Sequence, residues 1–194
     1  MPGAVSSAAP IDLDLAVNAR FAYGSGKIER YGMSFNLFAW LFAAGLTIHN
    51  LEEAIFLPAW SRTAARWHAP IGAAEFRFAV VVLTLSAYVC AGLSTAGSMV
   101  GTYLLCGYSL AMFLNVFIPH LAATAVMRRY APGTATAVCC NLPITVLLIR
   151  RAVAEHRIAL ATFAWAGPLT VVMIVLSIPL LFTIGRTLRL EHPA

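Results

Sequence analysis

The chain has 194 residues, of which 60% are hydrophobic and only 11% charged, and its formal net charge is +5. Soluble domains contain about 45–50% apolar and about 25% charged residues, so this composition excludes an ordinary soluble domain. The lysines and arginines lie almost entirely in short connections between apolar stretches, where contacts with lipid headgroups are typical. We therefore expect an all-α, polytopic membrane helix bundle whose partners include the lipid bilayer and no nucleic acid.

The apolar stretches predict about five transmembrane helices, since a spanning helix needs about 20 residues. Residues 1–32 are expected to form a polar N-terminal arm, and residues 33–190 a single transmembrane helical domain. Pro58 is expected to end the first helix and Pro119 to kink the third, because proline cannot donate to the helix ladder. The predicted helices are residues 35–57, 76–93, 99–127, 134–149 and 158–184, with a basic loop at 61–70 and a turn at 130–133. Basic residues are almost equally common on the two faces, which leaves the orientation open.

The first predicted helix contains the segment His49-Asn50-Leu51-Glu52-Glu53. A buried acidic residue costs about 2.5–3.5 kcal/mol on insertion scales, so two adjacent ones require a partner or a function. At about 100° per residue, Glu52 and Glu53 lie about 60° and about 40° to either side of His49. Imidazole and carboxylate on one helical face are typical ligands of Zn, Fe or Mn.

The spacing resembles that of inverse zinc peptidases, in which ligands at positions i and i+4 flank a base at i+3. By this comparison His49 and Glu53 are predicted metal ligands, and Glu52 is the predicted general base. The alternative interpretation is that both glutamates lie at the end of the helix and pair with Arg62 or Arg66.

A second polar cluster, Asn115 and His120, lies in the third predicted helix. On a straight helix these two residues are about 140° apart and do not share a face. Pro119 changes this expectation, because it favours a kink or a π-bulge that turns His120 toward the first helix. His120 is then the predicted third metal ligand, and Asn115 is expected to orient a ligand or the substrate. The alternative is a histidine that only forms a hydrogen bond between helices.

These residues resemble the HXXEE family of small bacterial integral membrane proteins. The resemblance covers roughly residues 35–150 and rests on His49-x-x-Glu52-Glu53, Asn115-x4-His120 and the Tyr130-x-Pro-Gly turn. It implies an active site at the motif and a location in the bacterial cytoplasmic membrane. It also implies a further characteristic histidine, for which His68 and His156 are both candidates.

The functional hypothesis is a metal-dependent membrane enzyme that acts on a lipid-like or apolar small molecule. Hydrolysis through a metal-activated water is slightly preferred over iron-dependent oxidation. The sequence has no obvious second E-x-x-H set, which disfavours a full di-iron site. The alternatives are a proton- or ion-coupled transporter or ion-binding protein, since intramembrane Glu and His also serve as proton relays, and a non-catalytic assembly factor.

Overall fold

The computed structural model describes residues 33–64 and 70–191, with side chains as far as Leu188. Within these residues the chain forms helices and no strands, which confirms the predicted all-α class. The predicted arm, His68 and much of the predicted basic loop lie outside the described residues. Five long helices follow one another: α1 Phe35–Thr63, α2 Ala73–Thr95, α3 Met99–Met127, α4 Thr134–Ala154 and α5 Leu160–Glu191.

Four of these helices, α2 to α5, are long and apolar enough to cross a membrane, which indicates an integral membrane protein. α1 has 29 residues and is therefore also long enough. It is less apolar than the other four because it carries His49, Asn50 and two glutamates. The chain thus places its most polar helix within an otherwise apolar bundle.

The core lies along one stripe of α1. Phe35, Phe38, Phe42 and Leu46 recur every three or four residues, and each is at most 3% exposed. In a bilayer, close packing rather than the hydrophobic effect holds helices together, and small residues permit it. The partners of this stripe include Ala87 and Ala91 on α2, Leu105 on α3 and Leu148 on α4. His49 and Glu53 continue the stripe along α1, so the apolar core leads directly into the polar site.

α1 continues through Pro58 to Thr63, so the prediction that Pro58 ends this helix is wrong. The Ser61 hydroxyl donates to the Pro58 carbonyl oxygen at 3.0 Å. Trp60 Nε1 donates to the carbonyl oxygen of Tyr130 at 3.1 Å. The Trp60 contact joins the last turns of α1 to the segment that connects α3 with α4. Pro58 has no N–H for the Ala54 carbonyl oxygen, which accepts from Nε of Arg77 at 3.2 Å instead.

α3 is interrupted as predicted. The helix is kinked within Val116–Leu121, where Ile118 has extended backbone angles of φ −131° and ψ 115°. Steric contact with a following proline disfavours the helical conformation of the residue before it, and Pro119 follows Ile118. The Ile118–Pro119 peptide bond is cis. The interruption directs His120 into the bundle, where it is 2% exposed.

The other helix boundaries differ from prediction by a few residues. α4 runs five residues beyond its predicted end, because Arg150 and Arg151 remain helical. α2 and α5 also extend past the apolar stretches from which they were predicted. The turn after α4 supports the start of α1, since the Phe35 amide donates to Glu155 Oε1 at 2.8 Å.

Candidate metal site

His49, Glu53 and His120, the three predicted ligands, converge at one place. Nε2 of His120 lies 3.4 Å from Oε1 of Glu53, and Nε2 of His49 lies 3.8 Å from Oε2 of Glu53. One ligand atom from each residue lies within 4.8 Å of the other two, and such a group can hold a metal ion. The structure therefore brings the three residues together, while their role as ligands stays a prediction.

The positions follow from two local features of the helices. His49 and Glu53 are four residues apart on α1 and so lie on the same face one turn apart. His120 reaches them because the turn at Ile118 breaks α3. Asn115, at the end of the regular part of α3, places its Nδ2 3.4 Å from Nε2 of His49. The predicted supporting residue thus also lies in the cluster.

The cluster contains a buried polar atom that lacks a hydrogen bond. Nε2 of His120 has no hydrogen-bond partner among the described residues. Leaving such an atom unpaired costs about 1–3 kcal/mol. Two imidazole nitrogens and a carboxylate are the donor set that proteins use for Zn, Fe or Mn. The residues present therefore fit a divalent cation.

Gly133 closes the cluster from the segment between α3 and α4. Its φ of +89° lies in the left-handed region, which favours glycine. A Cβ at this position would lie 2.5 Å from Cε1 of His120, 3.0 Å from Cε1 of His49 and 3.1 Å from Cγ of Glu53. No residue with a side chain fits here unless the three candidate ligands move.

Glu52 lies beside the cluster, and its carboxylate faces the same connecting segment. Oε1 accepts hydrogen bonds from the Tyr130 hydroxyl and from the Gly133 amide, the latter at 2.9 Å. Oε2 accepts one from the Thr136 hydroxyl at 2.7 Å. Burial and the Glu52 hydrogen bond raise the pKa of the Tyr130 phenol. These hydrogen bonds link Glu52 on α1 to the connecting segment and to the first turn of α4.

Sequence reasoning did not find Thr136, and it identified Tyr130 and Gly133 only as parts of a turn. Thr136 lies 3.0 Å from Nδ1 of His49, 87 residues away in the chain. Nothing local to Thr136 signals this contact. The Tyr130-x-Pro-Gly pattern predicts a turn, but not that the turn packs against α1.

Two cavities border the cluster, and Glu53 and Ile118 line both of them. The larger has a volume of about 350 Å³ and an almost wholly apolar wall that includes Leu57, Trp60 and Val126, and it reaches His120. The smaller, of about 220 Å³, lies among α1, α2, α3 and α5 and reaches His49, Asn50 and Asn115. Small-molecule sites are typically cavities of about 300–1,000 Å³, so the larger one has a suitable size.

His156, one of the two candidates for the further characteristic histidine, lies away from the cluster. His156 is exposed in the turn after α4, at the opposite end of that helix from Thr136. Glu52 contacts the connecting segment and Glu53 contacts the two histidines, rather than Arg62. Arg66 lies outside the described residues.

Residues 40–148 match a family described as proteins of unknown function with an HXXEE motif. The chain is also 35% identical over 150 residues to the uncharacterized protein YrkK of Bacillus subtilis (strain 168), a match that covers 76% of this chain and 95% of YrkK. No solved structure matches the chain. The chain belongs to the HXXEE family, as the motif residues predicted.

Proposed function

We propose that this protein is a metal-dependent membrane enzyme that acts on a lipid-like or apolar small molecule. The observation that carries the proposal is the convergence of His49, Glu53 and His120 within 4.8 Å beside an apolar cavity. Its membrane is proposed to be the bacterial cytoplasmic membrane, in keeping with the resemblance described above.

His49, Glu53 and His120 would hold one divalent ion, Zn, Fe or Mn. A bound ion supplies Lewis-acid chemistry and an activated water, which suits hydrolysis; iron-dependent oxidation is the second possibility for the same ligands. Asn115 contacts His49 and is placed to orient either this ligand or a polar group of the substrate. The two cavities leave room for a substrate next to the ligands.

The apolar wall of the larger cavity supports a lipid-like or apolar substrate. Leu57, Val126 and Met127 offer aliphatic contacts, and Glu53 and His120 are the polar groups at its inner end. Val126 is 61% exposed, so the cavity borders the surface that contacts lipid. A substrate dissolved in the bilayer can therefore reach the ligands with its apolar part in the cavity.

A second candidate function is proton- or ion-coupled transport. The observation that favours it is that Glu53 and Ile118 line both cavities, so a carboxylate lies between two spaces in the bundle. Proton-coupled flux in liposomes that is abolished by Glu53→Gln would support transport. Absence of flux from liposomes containing metal-loaded protein would leave the enzyme as the proposed function.

Elemental analysis of the purified full chain, in detergent and after growth with added Zn, Fe and Mn, tests the metal proposal. We expect close to one metal ion per chain, which His49→Ala or His120→Ala removes. His156→Ala is the matched control, because His156 is exposed and lies away from the cluster. A metal-free wild-type protein that also fails to bind added Zn, Fe or Mn would contradict the proposal.

A further inference from the structure

Glu52, Thr136 and His49 form a continuous chain of hydrogen bonds. The Thr136 hydroxyl oxygen lies 2.7 Å from Oε2 of Glu52, 3.0 Å from Nδ1 of His49 and 3.1 Å from the Gly133 carbonyl oxygen. The hydroxyl has one proton, and the carboxylate is the strongest and nearest acceptor for it. The Thr136 oxygen can then only accept from His49, which requires a proton on Nδ1.

Asn115 on α3 requires the same arrangement. At the opposite side of the ring, Nδ2 of Asn115, a donor, faces Nε2. Nε2 therefore carries the lone pair.

We propose that Glu52 is a positioning residue that acts through Thr136. It fixes the neutral His49 ring with its proton on Nδ1 and its Nε2 lone pair directed toward Glu53. Histidines that bind metals almost always donate their other ring N–H to such a partner, which fixes the tautomer and the ring orientation. This positioning role rests on the proposed metal function, because orienting His49 serves metal binding. It replaces the role of general base that the sequence predicted for Glu52.

The hydrogen bonds of Glu52 disfavour a base. A general base needs a carboxylate oxygen within reach of the proton that it removes. Both oxygens of Glu52 instead accept hydrogen bonds from Tyr130 and Gly133 in the connecting segment and from Thr136 in the first turn of α4. All three groups are donors, an arrangement that suits an ionised carboxylate with a structural task.

Nε2 of His120 faces the same carboxylate. It lies 3.4 Å from Oε1 of Glu53 and has no hydrogen-bond partner among the described residues. The Nε2 atoms of both histidines therefore face Glu53.

Nitrogen-15 NMR of the full chain, labelled in its histidine rings and stripped of metal, tests the tautomer directly. The spectrum is recorded in lipid nanodiscs at a pH above which the His49 shifts no longer change, and His49→Gln identifies the signals. We expect a protonated Nδ1 and a bare Nε2. A proton on Nε2 of His49 would overturn the inference, and this result does not depend on metal binding.

Titration with Zn tests the role of Glu52. Glu52→Gln and Thr136→Val are each expected to weaken Zn affinity by roughly 10–100-fold, as loss of such partners typically does. The double variant should bind Zn no more weakly than the single variant with the lower Zn affinity, because both substitutions break the same chain of hydrogen bonds. Thr136→Ser keeps the hydroxyl and should retain the affinity.

Thr145→Val is the matched control, since Thr145 lies on the same helix as Thr136 and its hydroxyl donates to the Leu142 carbonyl oxygen at 3.0 Å rather than to Glu52 or His49. Unchanged Zn affinity in Glu52→Gln, or independent losses that add in the double variant, would overturn the positioning role. If the wild-type protein binds no Zn but has the expected His49 tautomer, the proposed metal function fails and the positioning role stands. If it binds Zn but has the opposite tautomer, the positioning role fails and the metal function stands.

Discussion

The rings of His49 and His120 meet edge to face, with centroids 4.8 Å apart and planes at 86°. One ring comes from the continuous helix α1 and the other from the broken part of α3. Their contact joins these two elements at the point where Glu53 approaches both. Gly133, in the segment between α3 and α4, packs against both rings.

Gly133→Ala is expected to abolish metal binding and to destabilise the fold. The left-handed backbone at this position costs an ordinary residue about 1–2 kcal/mol. The new Cβ would in addition lie 2.5 Å from Cε1 of His120 and displace the ring. Zn titration and thermal denaturation of the purified variant measure the two effects.

Gly97→Ala is the control, because Gly97 has a φ of +91° but nothing within 4 Å of the added Cβ. It should lower stability by only the backbone cost, about 1–2 kcal/mol, and leave Zn affinity unchanged. Equal Zn affinity in both variants would show that Gly133 does not pack against the ligands as described.

Tyr130→Phe is expected to lower the free energy of unfolding by about 1 kcal/mol. The variant loses a hydrogen bond to a carboxylate, and the cost is at the low end because Tyr130 is 51% exposed. Since the phenol pKa is raised in the folded chain, its contribution is present below the ordinary tyrosine pKa of about 10 and is lost as pH rises through the folded value. Thermal denaturation of wild type and variant between pH 7 and pH 11 measures the difference. A difference that grows with pH would contradict the assignment.

Ala123→Phe is expected to fill the larger cavity and to block an apolar ligand without removing the metal. Ala123 lines this cavity together with Trp60. A brominated long-chain alcohol quenches tryptophan fluorescence. The quenching of Trp60 fluorescence, taken as the difference between the wild type and Trp60→Phe, measures occupation of the cavity. The quenching should fall several-fold in Ala123→Phe.

Ala161→Phe adds the same ring at an exposed position on α5 and serves as the control. Its quenching and its metal content should equal those of the wild type. Quenching that is unchanged in Ala123→Phe would mean that the alcohol does not bind in this cavity.

Much of the fold can be predicted from the sequence, because the length of an apolar stretch and the effect of a proline on its own helix are visible in neighbouring residues. The five helices and the break before Pro119 are of this kind. The predicted end of α1 is wrong because α1 continues past Pro58 to Thr63, where Trp60 contacts Tyr130, 70 residues away. Such a contact with a distant residue is not visible in a local pattern.

In the candidate site, too, local features could be predicted from the sequence and contacts between distant residues could not. His49 and Glu53 share a face through helix geometry alone, and the kink at Pro119 indicated that His120 could join them. Thr136 was missed because its contacts with Glu52 and His49 span 84 and 87 residues. The sequence therefore predicted the three residues that converge in the structure, but not Thr136, which contacts His49.

X-ray absorption spectroscopy of the Zn-loaded full chain at the zinc edge tests the three proposed ligands. We expect nitrogen and oxygen ligands at about 2.0–2.2 Å with the scattering of two imidazoles, reduced to one in His120→Ala. A sulfur shell at about 2.3 Å, from the chain's cysteines, or a zinc ion with no imidazole ligand would contradict this expectation.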